Sequence, residues 1–158
     1  MMTRLIMFRE AWAWLDEEER LYRRLLGDCS SILHLFSGES DLGDVRIDVT
    51  GKATHRIFIK PHEKNYKLPF SDASFDAVIA DPPWFNQYFI WLSREAFRLA
   101  RKKVLIITDR WFIAPSPPYN KTWRLDKIYV VKRVSPLVKL VFLYKNTNKT
   151  LESLTMNG

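Results

Sequence analysis

Apolar positions recur along this chain with two different periods. Phe8, Trp12, Leu15, Tyr22, Leu25 and Leu26 fall at helical spacing, and Asp16-Glu17-Glu18-Glu19-Arg20 with Arg23-Arg24 supply the opposite, polar face. The spacing predicts an amphipathic helix over 5–26 that stops at Gly27. Short apolar runs follow, bounded by turn residues: Ser30 to Phe36, Val45 to Val49, His55 to Lys60 and Phe75 to Ala80, each predicting a strand. Beyond Asn86, a candidate cap, the helical period returns with Phe89, Leu92, Ala96 and Leu99 on one stripe. Lys103 to Asp109 predicts a fifth strand, and Ile128 to Val131 with Val138 to Tyr144 predict a closing hairpin linked through Ser135-Pro136.

Loop lengths turn these elements into a topology. A parallel connection normally takes about a dozen residues. Positions 37–44 and 50–54 are too short for full crossover helices, which should be reduced to turns and leave one sheet face thinly covered. The strand, helix, strand series from Phe75 to Asp109 is the parallel crossover unit, so the fold class is α/β. Residues 110–124 carry Pro115, Pro117 and Pro118 and predict an extended loop rather than a long helix. With 158 residues, one domain is expected, opened by the helix within 1–28 and ended by a polar tail over 146–158 that should fray.

Composition narrows the setting. The single cysteine, Cys29, excludes an intrachain disulfide framework and reads as a small buried side chain. The first ten residues break into charge too early for a signal peptide, and apolar runs stay short of a membrane span, so a cytoplasmic protein with no membrane partner is expected. The net charge of +7 is uneven: residues 101–149 hold twelve lysines or arginines against Asp109 and Asp126. Such asymmetry favours a polyanionic partner, with Lys121, Arg124, Lys127, Lys132 and Arg133 as candidate backbone contacts and a solvated lysine-rich face as the plainer reading. Trp111 and Trp123 flank the proline loop as candidates for stacking or for core packing. His34, His55 and His62 lack metal-ligand spacing with Cys29, so no metal is expected.

Chemistry concentrates at Asp81-Pro82-Pro83-Trp84, which follows the strand Phe75 to Ala80 directly. The placement sets an acid, a stiffened backbone and an aromatic face at a strand's carboxyl end, where open α/β sheets collect ligands. The set suits a planar, amine-bearing ring such as adenine.

The order ILHLFSGESDLG, VRIDV, LPFSDASFDAVIADPPW over residues 30–109 resembles the class I S-adenosylmethionine-dependent methyltransferases. The tryptophan form of the motif is most similar to adenine N6-methyltransferases. The resemblance implies a three-layer Rossmann-like fold with a mostly parallel sheet, a C-terminal antiparallel hairpin and reduced helices on one face. It also implies S-adenosyl-L-methionine as cofactor, with Phe36, Ser37, Gly38 and Glu39 at its methionine part, Asp48 at the ribose, and Leu68 and Phe70 near its adenine. One departure is visible: family members carry two or three glycines in the first loop, whereas Gly38 and Gly43 are separated by four residues.

The implied activity is methyl transfer to adenine N6 in DNA. Asp81 and the Pro82 carbonyl would accept the amine hydrogens, Pro83 would stiffen the turn and Trp84 would stack on the base. RNA is the alternative polymer; a small-molecule or protein substrate, or a non-catalytic nucleic-acid-binding module, are the further alternatives. The resemblance implies a separate target-recognition region, for which these residues leave no room, so sequence choice would rest on short loops such as 110–124 or on a second subunit, and a homodimer reading a palindromic site is a candidate assembly.

Overall fold

The strand Phe75-Asp76-Ala77-Val78-Ile79-Ala80 is buried at every position, which marks it as the centre of a sheet covered on both faces. The computed structural model describes residues 14–109, 122–132 and 138–147. Their strands are β1 (Ile32–Leu35), β2 (Val45–Asp48), β3 (His55–Arg56), β4 (Phe75–Ala80), β5 (Ala100–Thr108), β6 (Trp123–Lys132) and β7 (Val138–Asn146), with helices α1 (Asp16–Leu25) and α2 (Asn86–Leu99). The seven strands form one sheet in the order β3-β2-β1-β4-β5-β7-β6. Pairing is parallel from β3 through β5, and β7 runs antiparallel between β5 and β6.

Strand alternation sorts the core into two layers. Leu33, Leu35, Val78, Ala80, Val104, Ile106, Leu140 and Phe142 face α2 and pack with Phe89, Trp91, Leu92 and Ala96. Ala77, Ile79, Leu105, Ile107, Val141 and Leu143 face the other way and pack with Tyr22 and Leu26 at α1. Three layers therefore stand as expected, with one helix on each face among the described residues.

The reduced connections fill their space without helices. Residues 36–44 fold back over β1, where Leu42 is buried in the α1-side layer and its carbonyl accepts a hydrogen bond from His34 Nδ1 at 2.8 Å. Between β3 and β4 the chain is clamped to α2: the Leu68 N–H donates to Glu95 at 2.6 Å, and Arg98 donates to the Phe70 carbonyl at 2.8 Å and pairs with Glu95. At the sheet's other end Asp76 accepts from the Ser30 N–H at 2.9 Å and pairs with Arg101 at 2.8 Å.

Several boundaries differ from expectation. Residues 1–13 of the predicted first helix lie outside the described residues, and the described part begins at Asp16. Only His55–Arg56 of the third run pair as a strand, because Ile57 and Ile59 turn away to pack on the core. Phe85, not Asn86, holds the cap position of α2. The predicted loop 110–124 ends early: Trp123 and Arg124 already belong to β6, which pairs with β7 along its whole length. Positions 110–121 and the link at Ser135-Pro136 lie outside the described residues.

Candidate active site

Asp81 continues the alternation of β4, so it falls on the face of Ala77 and Ile79, toward α1. There the indole N–H of Trp14, just before α1, donates to Asp81 Oδ2 at 2.7 Å. Among the described residues no other donor reaches this carboxylate. The Asp81 main chain is tied to β1 by its N–H, 3.3 Å from the Leu35 carbonyl. Pro82 is buried, Pro83 is exposed, and the Phe85 N–H closes the turn on the Pro83 carbonyl at 2.8 Å. The Pro82 carbonyl accepts no hydrogen bond from the described residues. Trp84 packs half-buried against the α2-side core.

These residues form one wall of a cavity of about 900 Å³. The opposite wall comes from the loop after β1 (Phe36 to Asp41) and from Asp48 and Lys52, with Trp14, Glu19 and Lys139 closing the α1 side. The cavity thus sits at the carboxyl ends of β1 and β4, where the strand order reverses direction. That is the switch point at which open α/β sheets bind ligands.

The loop after β1 is shaped for a ligand. Phe36 and Gly38 both have positive φ, 61° and 53°, and a Cβ on Gly38 would meet nothing within 4 Å. The Ser37 hydroxyl is buried there without a hydrogen-bond partner among the described residues. Gly51 backs the loop so closely that a Cβ would lie 2.2 Å from the Gly38 carbonyl oxygen. Asp48 accepts the Gly38 N–H at 2.8 Å and the Val49 N–H at 2.7 Å, which holds its carboxylate at the cavity wall with acceptor capacity remaining. An orphaned hydroxyl, an open glycine and a fixed carboxylate fit the polar end and ribose of S-adenosylmethionine.

Charge in the walls is mainly negative. Glu19, Glu39, Asp41, Asp48 and Asp81 line the cavity against Lys52 and Lys139. Lys52 lies 3.4 Å from Asp41, and Lys139 lies 3.2 Å from Glu18. Such a lining suits a cation and not a free phosphate. Burial raises the pKa of the Asp81 carboxyl, and the charge of Lys139 and the Trp14 hydrogen bond oppose that rise. Beneath the cavity, His34 is wholly buried, its second nitrogen has no partner among the described residues, and burial lowers its pKa to about 4.

The fold brings most of the anticipated residues together. Asp81, Pro82, Pro83, Trp84, Phe36, Ser37, Gly38, Glu39 and Asp48 share the cavity. Leu68 and Phe70 do not line it: Leu68 is buried in the α2-side core, and Phe70 packs on His55 and Phe75. Both are held there by the Glu95–Arg98 clamp. The basic candidates are spread out. Lys132 pairs with Val138 at the cavity's edge of the sheet, three strands beyond β4, or roughly 14 Å at ordinary strand spacing. Arg124 lies eight residues back along β6, about 27 Å toward the opposite edge, with Lys127 between them. Lys121 and Arg133 lie outside the described residues, as does Trp111, while Trp123 is a core residue against Phe97. Trp14 and Lys139 were not anticipated, because neither neighbours the motif in sequence. The described residues contain no cluster of metal-ligating side chains, and no described helix is long and apolar enough to cross a membrane.

Sheet order, the antiparallel β7 and a cavity at the β1/β4 switch point together define the class I methyltransferase fold. Among solved structures the chain is similar to TrmN from Thermus thermophilus, at 18% identity and a TM-score of 0.58 over 88% of this chain and 52% of that one. The chain thus spans about half the length of that protein. It is also similar to yhhF from Escherichia coli, assigned as a methyltransferase, at 15% identity and a TM-score of 0.50 over 83% of this chain and 84% of that one. No protein-family model matches the sequence, and no curated protein matches it.

Proposed function

We propose that this chain is an S-adenosylmethionine-dependent methyltransferase that acts on the N6 amine of adenine in DNA. The observation that carries the reading is the pairing of the Asp81 carboxylate, which Trp14 engages through one oxygen, with the Pro82 carbonyl, which accepts no hydrogen bond from the described residues, beside Trp84 at the rim of a cation-friendly cavity. When bound, the cofactor supplies an electrophilic methyl group. Ser37, Gly38 and Asp48 would hold it.

The rest falls to the chain's own residues. An exocyclic amine is a weak nucleophile because its lone pair is delocalised into the ring. Asp81 and the Pro82 carbonyl each accept one N–H, which favours a pyramidal nitrogen whose lone pair projects from the ring plane. Asp81 also stabilises the positive charge that grows on nitrogen, an effect worth ~10²–10³ in rate for a comparable preorganised group, and its carboxylate accepts the N–H proton that leaves once the nitrogen carries the methyl. Trp84 offers a stacking face worth on the order of 1–3 kcal/mol to an unstacked base. A base in a duplex must first leave the helix, at a cost of a few kcal/mol.

The test is incubation of the full chain with methyl-tritiated cofactor and separate pools of duplex DNA, single-stranded DNA and RNA, followed by nucleoside analysis. Label in N6-methyldeoxyadenosine is the expected result. Label only in RNA would replace the polymer and keep the chemistry. Label in no nucleoside would overturn the proposal.

A further inference from the structure

We infer that Trp14 is a positioning residue for Asp81: by engaging Oδ2 it turns the remaining carboxylate oxygen toward the substrate amine. The inference rests on the reading of Asp81 proposed above.

The contact is held from several directions. The Trp14 ring stacks on His34 with centroids 5.1 Å apart and planes at 19°, and it meets Tyr22 edge-on at 4.7 Å. Neither neighbour is loose: His34 is bonded to the Leu42 carbonyl, and the Tyr22 hydroxyl donates to Glu18 at 3.0 Å. Glu18 in turn accepts from the Leu15 N–H at 3.2 Å and pairs with the buried Lys139 at 3.2 Å. The indole N–H thus has a fixed direction, and a planar carboxylate bound through one oxygen by a fixed donor has a fixed plane. An unrestrained aspartate would have to be oriented at each turnover, whereas this one is set beforehand. Among the described residues, the ionisable groups coupled to the carboxylate are Lys139 from β7 and Tyr22 from α1; Glu18 of α1 pairs with both of these, and His34 of β1 stacks on the Trp14 ring.

Two measurements on the full chain test this. In proton–nitrogen NMR the Trp14 indole resonance should titrate with the protonation of Asp81, and that titration should vanish in Asp81→Asn. Kinetically, Trp14→Phe should lower kcat about tenfold, the worth of one charge-assisted hydrogen bond. Incorporation of 3-benzothienylalanine at position 14 replaces N–H by sulfur at nearly the same size and should do likewise if the phenylalanine variant misfolds. Cofactor affinity should hold steady in both. Because the hydrogen bond opposes the raised pKa of Asp81, losing it should also move the acid limb of kcat to higher pH, which a purely structural role would not do. An unchanged kcat and acid limb would overturn the inference. So would a gain in rate, which would mean that the indole competes with the amine for Asp81. Should the wild-type chain label no nucleoside, the functional reading fails, while a non-titrating indole resonance alone refutes the Trp14–Asp81 linkage.

Discussion

Acidification from about pH 7 to about pH 5 should destabilise this fold through one side chain, His34. The imidazole has no solvent exposure, donates from Nδ1 to the Leu42 carbonyl at 2.8 Å, and leaves Nε2 without a hydrogen-bond partner among the described residues. A proton added to Nε2 would therefore be a buried charge without a partner, and burial holds the folded pKa at about 4 against an ordinary 6.5. The unfolded chain takes up the proton first. Stability is full above about pH 6.5, falls as pH drops toward 4, and levels off below. The gap corresponds to a total loss of ~3 kcal/mol, of which about 2 kcal/mol is gone by pH 5. That is a large share of the roughly 5–15 kcal/mol that holds a domain together. Urea unfolding at intervals across this range would measure it, with His34→Asn as control, because its amide can keep the donor to Leu42 and cannot titrate. The variant starts from lower stability and should lack the fall that His34 causes, keeping only the opposite, stabilising slope that the raised pKa of Asp81 gives on acidification. Equal slopes in the two proteins would refute the reasoning. Asp76 acts in a separate window: the Ser30 N–H and Arg101 hold its carboxyl far below the usual range, so its contribution is lost only in stronger acid.

Asp81→Ala should lower methyl transfer at least ~10²-fold in single-turnover assays while calorimetric cofactor affinity changes little; near-normal turnover would remove Asp81 from its role. Trp84→Phe should keep most activity whereas Trp84→Ala raises the substrate KM, and equal behaviour of the two would argue against stacking. Gly51→Ala brings a Cβ to 2.2 Å from the Gly38 oxygen at a φ of 69°, so thermal melting should show a loss of about 1–3 kcal/mol. The same variant should bind cofactor several-fold more weakly in an equilibrium titration, because the displaced segment is the cavity wall at Gly38; unchanged melting and binding would mean that the backing is soft.

The sheet could be read from the chain because its central strands obey local rules. Phe75 to Ala80 is an unbroken apolar run, and the structure buries every one of its residues. The segment 37–44 left no room for a helix, and a loop with Leu42 as its plug stands there. The misjudged ends share a cause. His55 to Lys60 has strand composition throughout, yet only two residues pair, because the rest are drawn to the core by contacts with segments far along the chain. The underestimated hairpin has the converse explanation. β6 is mostly exposed and gives little apolar signal from Arg124 to Lys127, but β7 beside it is buried and supplies a template along its full length.

The candidate site divides along the same line between local and distant. Asp81 to Trp84 and Phe36 to Glu39 are contiguous stretches that follow strands, so their place at the sheet's rim comes from chain order alone. Leu68 and Phe70 also followed from a local pattern, but a side chain's direction depends on what ties the backbone, and Glu95 and Arg98 pull that segment to α2. Trp14 stands 67 positions from Asp81, and Glu18 stands 121 from Lys139. Charge counting was least able to find the last of these: Lys139 is one of the twelve basic residues that suggested a polyanionic partner, yet its ammonium is buried against Glu18. Burying such a pair is unfavourable unless further hydrogen bonds satisfy it, and Glu18 collects those from Leu15 and Tyr22. The buried pair also acts on the electrostatics of the site, because Lys139 is a cation that opposes the rise in the pKa of Asp81. Helix α1 and the chain just before it therefore do more than cover one face of the sheet, because Trp14 engages the carboxylate on which the proposed chemistry depends while Glu18 and Tyr22 of the helix hold Trp14 and Lys139 in place.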